Sequence, residues 1–160
     1  MYNLSFSNES VGLLHHMDNF NFDLLPNLIG YNLRKAQTAV FQDFSLSLRE
    51  CNITPGQFGV LVLVQANIGL NQTTLGNALG IDRSTVVAVI DKLEARGLVE
   101  RKPALTDRRS YALQLSPQGV MLLRRARNMV AKHERRISKG LSKPDQVLLI
   151  SLLQKLQEDL

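Results

Sequence analysis

The hydrophobic period of this chain changes at Gly97. Ahead of it, in IDRSTVVAVIDKLEARG, the residues Val86, Val89, Ile90 and Leu93 fall on one face of a helix, and Arg96-Gly97 is a helix stop. Beyond it the period is two. LVERK (98–102) is followed by YALQL (111–115), in which Tyr111, Leu113 and Leu115 alternate with Ala112 and Gln114. A helix that runs directly into a pair of short strands restricts the chain to folds with a hairpin packed behind a helix. The loop of that hairpin, residues 103–109, holds Asp107, Arg108 and Arg109. A turn needs polar residues, but not two adjacent guanidinium groups.

The remaining segments read as helices. Residues 25–50 carry Ile29, Leu33, Ala36, Val40, Phe44 and Leu48 at steps of three and four, one apolar stripe. In ITPGQFGVLVLVQAN, Thr54 suits an N-cap and Pro55 the first helical position. The stretch 60–64 is β-branched enough for a strand, but the cap and the spacing of Phe58, Leu61 and Val64 or Gln65 favour a helix ended by Gly69. NQTTLGNALG gives a short helix with Leu75 and Leu79 inward and Gly80 at the turn. Ser116-Pro117 opens a helix to about residue 139, and a last helix follows Gly140. Its Val147, Leu148, Leu149, Ile150, Leu152, Leu153, Leu156 and Leu160 cover more than one face. A second chain is the expected cover, and a homodimer the expected assembly. Residues 1–24 form an Asn- and Ser-rich N-terminal arm.

The charge is uneven. Residues 82–136 hold thirteen Lys and Arg against six Asp and Glu, a net of +7, which leaves −2 for the rest of a chain whose total is +5. A basic half points to a polyanionic partner, nucleic acid before membrane. The longest apolar run, 58–64, is far short of the roughly 18 residues a membrane span needs. The first cationic side chain is Arg34, so no charged segment precedes an apolar one as in a secretory signal, and a cytoplasmic protein is expected. With one cysteine there is neither a disulfide framework nor a thiolate cluster. His15, His16 and His133 have no metal-ligand spacing, so no metal or other cofactor is expected.

Two short helices joined by a tight turn and followed by a hairpin make a winged helix-turn-helix. The expected fold is therefore mainly α with a small β-hairpin wing. Residues 54–116 form the DNA-binding lobe, flanked by long dimerisation helices in 25–53 and 117–160. In such a lobe the second helix enters the major groove of double-stranded DNA. Arginines at the hairpin tip suit a narrow minor groove, with Asp107 holding one of them.

The stretch LGIDRSTVVAVIDKLEARGLVERKPALTDRRSYALQLSPQG, residues 79–119, resembles the core of a MarR-family transcriptional regulator. The matching pieces are a Ser-Thr-Val helix start, Asp-Lys-Leu-Glu-Ala-Arg-Gly-Leu-Val, an Asp-x-Arg wing and Leu-Ser-Pro-Gln-Gly. The long helices extend the resemblance to about residues 25–160. It implies an obligate homodimer on a pseudo-palindromic operator, released by a small, often aromatic or phenolic, effector. By position, Arg83, Ser84, Thr85, Val87 and Ala88 face the major groove. Asp107, Arg108 and Arg109 form the wing tip. The first long helix, LIGYNLRKAQTAVFQDF, is similar to that of members controlling aromatic-acid catabolism, some of which sense the coenzyme A thioester. Tyr31, Asn32, Arg34 and Lys35 are its candidate ligand residues, with Arg34 suited to a carboxylate or phosphate; each also fits a solvated helix face.

Other readings stand beside these. Ser84 and Thr85 suit a helix cap as well as a base or phosphate contact. Arg124, Arg125 and Arg127 read as a solvated face. Cys51 supports a redox-responsive regulator only if a cation activates it, and Arg49 is its sole cationic neighbour in sequence. A winged-helix module for protein contact has no need of Arg108 and Arg109. No Gly-rich phosphate loop, metal pair or nucleophile beside a histidine suggests an enzyme. Many family members carry a polar residue and an arginine where this chain has Val87 and Ala88. Small apolar side chains cannot make bidentate base contacts but do pack on thymine methyl groups. Binding-site selection from random duplexes is therefore expected to return A·T-rich half-sites; G·C-rich ones would refute the assignment.

Overall fold

In a computed structural model, residues 20–103 and 111–158 are described, and they divide into two units at Ala39/Val40. Arm residues 1–19 with His15 and His16, the wing tip with Asp107, Arg108 and Arg109, and the terminal Leu160 lie outside the described residues.

In the first unit, residues Leu25–Asn27 form a single 3-10 turn, and Leu28 is extended. The helix expected from residue 25 instead begins after it, as α1 (Ile29–Ser47). The break is held by Asn32, whose side-chain amide donates to the carbonyls of Pro26 and Leu28, each at 2.8 Å. The apolar stripe is exposed at its start and covered toward its end, where Phe44 packs on the core and Leu48, just past α1, is buried. Ile29 is 73% exposed, Leu33 is also exposed, and no α1 residue is fully covered.

The second unit starts inside α1. Helical geometry stops at Ser47, a 3-10 turn covers Arg49–Cys51, and Asn52 takes the left-handed conformation at φ 51°. Helix α2 (Pro55–Ala66) opens with a capping box: the Gln57 N–H donates to Thr54 Oγ1 at 3.2 Å, and the Thr54 N–H donates to Gln57 Oε1 at 3.0 Å. Such a cap is worth about 1 kcal/mol. It helps a β-branched segment fold as a helix, whose Val60, Leu61 and Val64 are buried. The helix ends at Ala66, before Gly69.

Helices α3 (Gln72–Leu79) and α4 (Arg83–Ala95) follow. Asn71 Oδ1 accepts the Thr74 N–H at 2.8 Å, and Gly80, at φ +62°, makes the left-handed turn between the two helices. Val86, Ile90 and Leu93 lock α4 into the core. Strands β1 (Val99–Pro103) and β2 (Tyr111–Leu115) then pair antiparallel, with Val99 opposite Leu115 and Arg101 opposite Leu113. The Leu113 N–H also donates to Leu70 O at 2.7 Å, tying the hairpin to the α2–α3 loop.

Helix α5 (Pro117–Ile137) is capped by Ser116, whose Oγ accepts the Gly119 N–H at 2.9 Å and donates to Gly97 O. A Cβ at Gly119 would sit 2.0 Å from the Leu98 carbonyl oxygen, so only glycine fits this junction. Farther along α5, His133 is 1% exposed and stacks on Phe44, centroids 4.9 Å apart. Its Nδ1 donates to Asp43 Oδ2 at 2.5 Å, and Arg136 donates to the same carboxylate at 2.8 Å and to Ser47 Oγ at 2.6 Å. This polar cluster joins α5 to the C-terminal half of α1. Helix α6 (Lys143–Glu158) has no buried residue, and Val147, Leu148, Leu149, Ile150 and Leu152 are all exposed.

Two outcomes follow from these contacts. Gly119→Ala forces backbone apart and is expected to cost about 1–3 kcal/mol or more, read as a lower denaturation midpoint; an unchanged midpoint would contradict the close approach. For Asp43, the hydrogen bonds from Arg136 and His133 hold the carboxyl below its ordinary value of 3.8. Its contribution to stability is thus present above pH of about 4 and lost as pH falls through the lower folded value. The melting temperatures of wild type and Asp43→Asn should differ at neutral pH and converge in acid.

Candidate nucleic-acid interface

The first turn of α4 presents its polar side chains because an acid caps it. Asp82 Oδ1 accepts the Thr85 N–H at 2.9 Å. The Ser84 hydroxyl donates to the same oxygen, and Thr85 Oγ1 donates to Oδ2 at 2.6 Å. The Ser84 and Thr85 hydrogen bonds hold the Asp82 carboxyl well below the usual carboxylate range. An anion at this end also suits the helix dipole. Both hydroxyls are therefore engaged with the cap, and both residues stay exposed together with Arg83 and Ala88. Val87 is half-buried, so it lies at the edge of the exposed face rather than on its crest. Asp82 was missed as the cap, although a lone Asp before an apolar-periodic run is a helix-start signal.

The hairpin is fastened to α4 by Arg101. It lies on the inner face of β1, on the same side as Val99 and opposite Leu113. From there it donates to Asp91 Oδ1 at 2.6 Å and to the Glu94 carboxylate. The arginine side chain is only 23% exposed. Both acids of α4 are thereby paired with Arg101. Lys102 pairs with Glu100 along β1 at 2.5 Å.

At the other end of α4, Arg96 donates through its two terminal nitrogens to the carbonyls of Asn52 (2.6 Å) and Cys51 (3.3 Å). The helix stop read in the sequence is also a tie to the α1–α2 junction. Cys51 itself is buried, with its sulfur 3.5 Å from that of Met129, and burial pushes its thiol pKa up. The reactive thiolate is disfavoured there, which argues against a redox sensor.

The candidate ligand residues of α1 lie in its first two turns. Asn32 holds the helix start, Lys35 Nζ lies 5.5 Å from the Tyr31 ring centroid, and Arg34 is exposed.

Comparison with known proteins bears on this geometry. The sequence pattern of the MarR family matches residues 52–110. A protein assigned as the transcriptional regulator of the hcr operon in Thauera aromatica is 37% identical over 129 residues, spanning 80% of this chain and 78% of the relative. The transcriptional repressor CouR, solved bound to a 23-mer DNA duplex, is 40% identical with a TM-score of 0.83, over 88% of this chain and 99% of CouR. CouR bound to p-coumaroyl-CoA is 38% identical with a TM-score of 0.80, over 89% of this chain and 100% of CouR. Fold, motif and overall identity agree: the chain belongs to the MarR family of transcriptional regulators.

Proposed function

We propose that this protein is a homodimeric, ligand-responsive repressor that binds a pseudo-palindromic operator. The observation that carries the reading is the setting of α4. Its apolar side is locked into the lobe by Val86, Ile90 and Leu93, while Arg83, Ser84, Thr85 and Ala88 stand exposed beside a hairpin whose tip carries Arg108 and Arg109. In this reading α4 enters the major groove. Arg83 and the hydroxyls serve base edges or phosphates, Val87 and Ala88 approach thymine methyl groups, and Asp107 orients the wing arginines in the minor groove. The structure of CouR on duplex DNA supports it by analogy.

A second copy covers the apolar residues that α6 and the start of α1 leave exposed. Dimer geometry then sets function, because two recognition helices must lie about 34–36 Å apart to reach successive major grooves. An effector that favours another spacing, or that covers the contact surface, weakens binding by its difference in affinity for the two states. The likeness to CouR with p-coumaroyl-CoA supports an aromatic acid, phenol or aryl-CoA thioester as that effector. In this reading Tyr31, Arg34 and Lys35 meet it from α1, while Asn32 has its amide committed to the helix start.

Binding of the purified protein to its own upstream DNA, against scrambled DNA over a salt series, tests the reading. Preference for its own region is expected, with affinity falling by about 10³–10⁵ between 50 and 200 mM salt for a footprint of six to ten phosphates. Arg109→Ala should weaken binding by about 1–3 kcal/mol. Absence of binding to either DNA at low salt would overturn the assignment.

A further inference from the structure

A recess of about 630 Å³ lies between the 3-10 turn at Arg49–Cys51, the start of α2 and the C-terminal half of α4. Arg49, Lys92 and Arg96 line it, with Asn52, Thr54 and Gln57 as polar neighbours, and no carboxylate is among the lining residues. Arg96 is fixed by hydrogen bonds to two backbone carbonyls, neutral acceptors that hold the guanidinium without cancelling its charge. Arg49 and Lys92 form no ion pair with any described residue. Several other cations of the unit are matched, Arg101 by Asp91 and Glu94, Lys102 by Glu100, Arg125 by Glu50 and Arg136 by Asp43; what sets Arg49, Lys92 and Arg96 apart is that they share one concave surface.

Three like charges around one concave surface repel one another, and an anion in the recess relieves that repulsion. The planar guanidinium fork matches paired phosphate oxygens, and the lysine adds a mobile point charge. We infer that the Arg49–Lys92–Arg96 recess is a phosphate-binding site. It is separate from the wing. Residues 92, 95 and 96 fall on one flank of α4, whereas Asp91 and Glu94, which hold the hairpin through Arg101, fall toward the other.

The phosphate has two sources of the same chemistry. One is the DNA backbone bordering the groove that α4 enters, and for this source the inference rests on the repressor reading above. The other is the phosphate of a small ligand taken up by the free protein, which needs no DNA.

The double variant Arg49→Gln/Lys92→Gln separates them, with Arg96 kept because it ties two elements together. Arg124→Gln/Lys139→Gln, which removes the same charge from exposed positions outside the recess, is the control. Each protein is titrated calorimetrically with inorganic pyrophosphate at low salt, and its DNA affinity is followed against salt. If DNA supplies the phosphate, the slope of log affinity against log salt becomes shallower by about one in the recess variant alone. If a small ligand supplies it, wild type binds one pyrophosphate per protomer, the recess variant binds it at least about tenfold more weakly, and the DNA slopes agree. Should the double variant melt early, Lys92→Gln alone carries the same comparison. A recess variant that matches the control in both measurements overturns the site. If wild type binds no DNA, it is the repressor reading that fails, and the pyrophosphate titration alone decides the recess.

Discussion

The first turn of α5 lies so close to the backbone at Leu98 that position 119 has no room for a side chain. The rest of the lobe depends on that contact. Ser116 caps α5 and, through the same hydroxyl, holds Gly97 O, so the end of α4, the start of β1 and the start of α5 meet at one point. The left-handed Gly97 then turns the chain out of α4 and into the hairpin. A hairpin gripped at its base in this way has a set direction, and Arg101 adds a second attachment along α4. The two attachments hold strands β1 and β2 against the lobe.

Charge in the basic half is divided by role. Arg96, Arg101 and Arg136 hold elements together through carbonyls or carboxylates. Arg83 and the recess cations Arg49 and Lys92 have no carboxylate partner among the described residues. A net of +7 over residues 82–136 therefore does not say where the charge available to an external anion lies. The surface that meets a polyanion is defined by which cations are unmatched, not by how many there are.

The apolar surface has a similar logic. Ile29 and the leucines of α6 follow helical spacing, yet no residue of either helix is fully covered in one protomer. Burying a leucine fully is worth about 1.5–3 kcal/mol, so a row of exposed ones is a strong drive to association. The pattern that predicts a helix is thus also the pattern that predicts a second copy. The start of the stripe on α1 could be read correctly as a helix face although the described residues of one chain leave it exposed.

Local physics made the elements legible in the sequence. A cap acts within three residues, a glycine at positive φ acts at its own position, and a hydrophobic period shows itself within two turns. Thr54, Asn71, Gly80, Gly97 and Ser116 mark α2, α3, α4, the hairpin and α5 for that reason. Boundaries slipped where neighbouring side chains intervened, as when Asn32 holds Pro26 and Leu28 outside α1. The candidate interface on α4 was legible by its spacing and its motif. The groups that aim and support it were not. Arg101 is ten residues from Asp91, Arg96 is forty-four from Asn52, and His133 is ninety from Asp43. No periodicity links such pairs, because what brings them together is the packing of whole elements. The sequence by itself determined the order of helices and strands and which side chains of α4 are expected to face DNA. Tertiary structure alone decided which cations would be matched from within and which would be left without a carboxylate partner among the described residues.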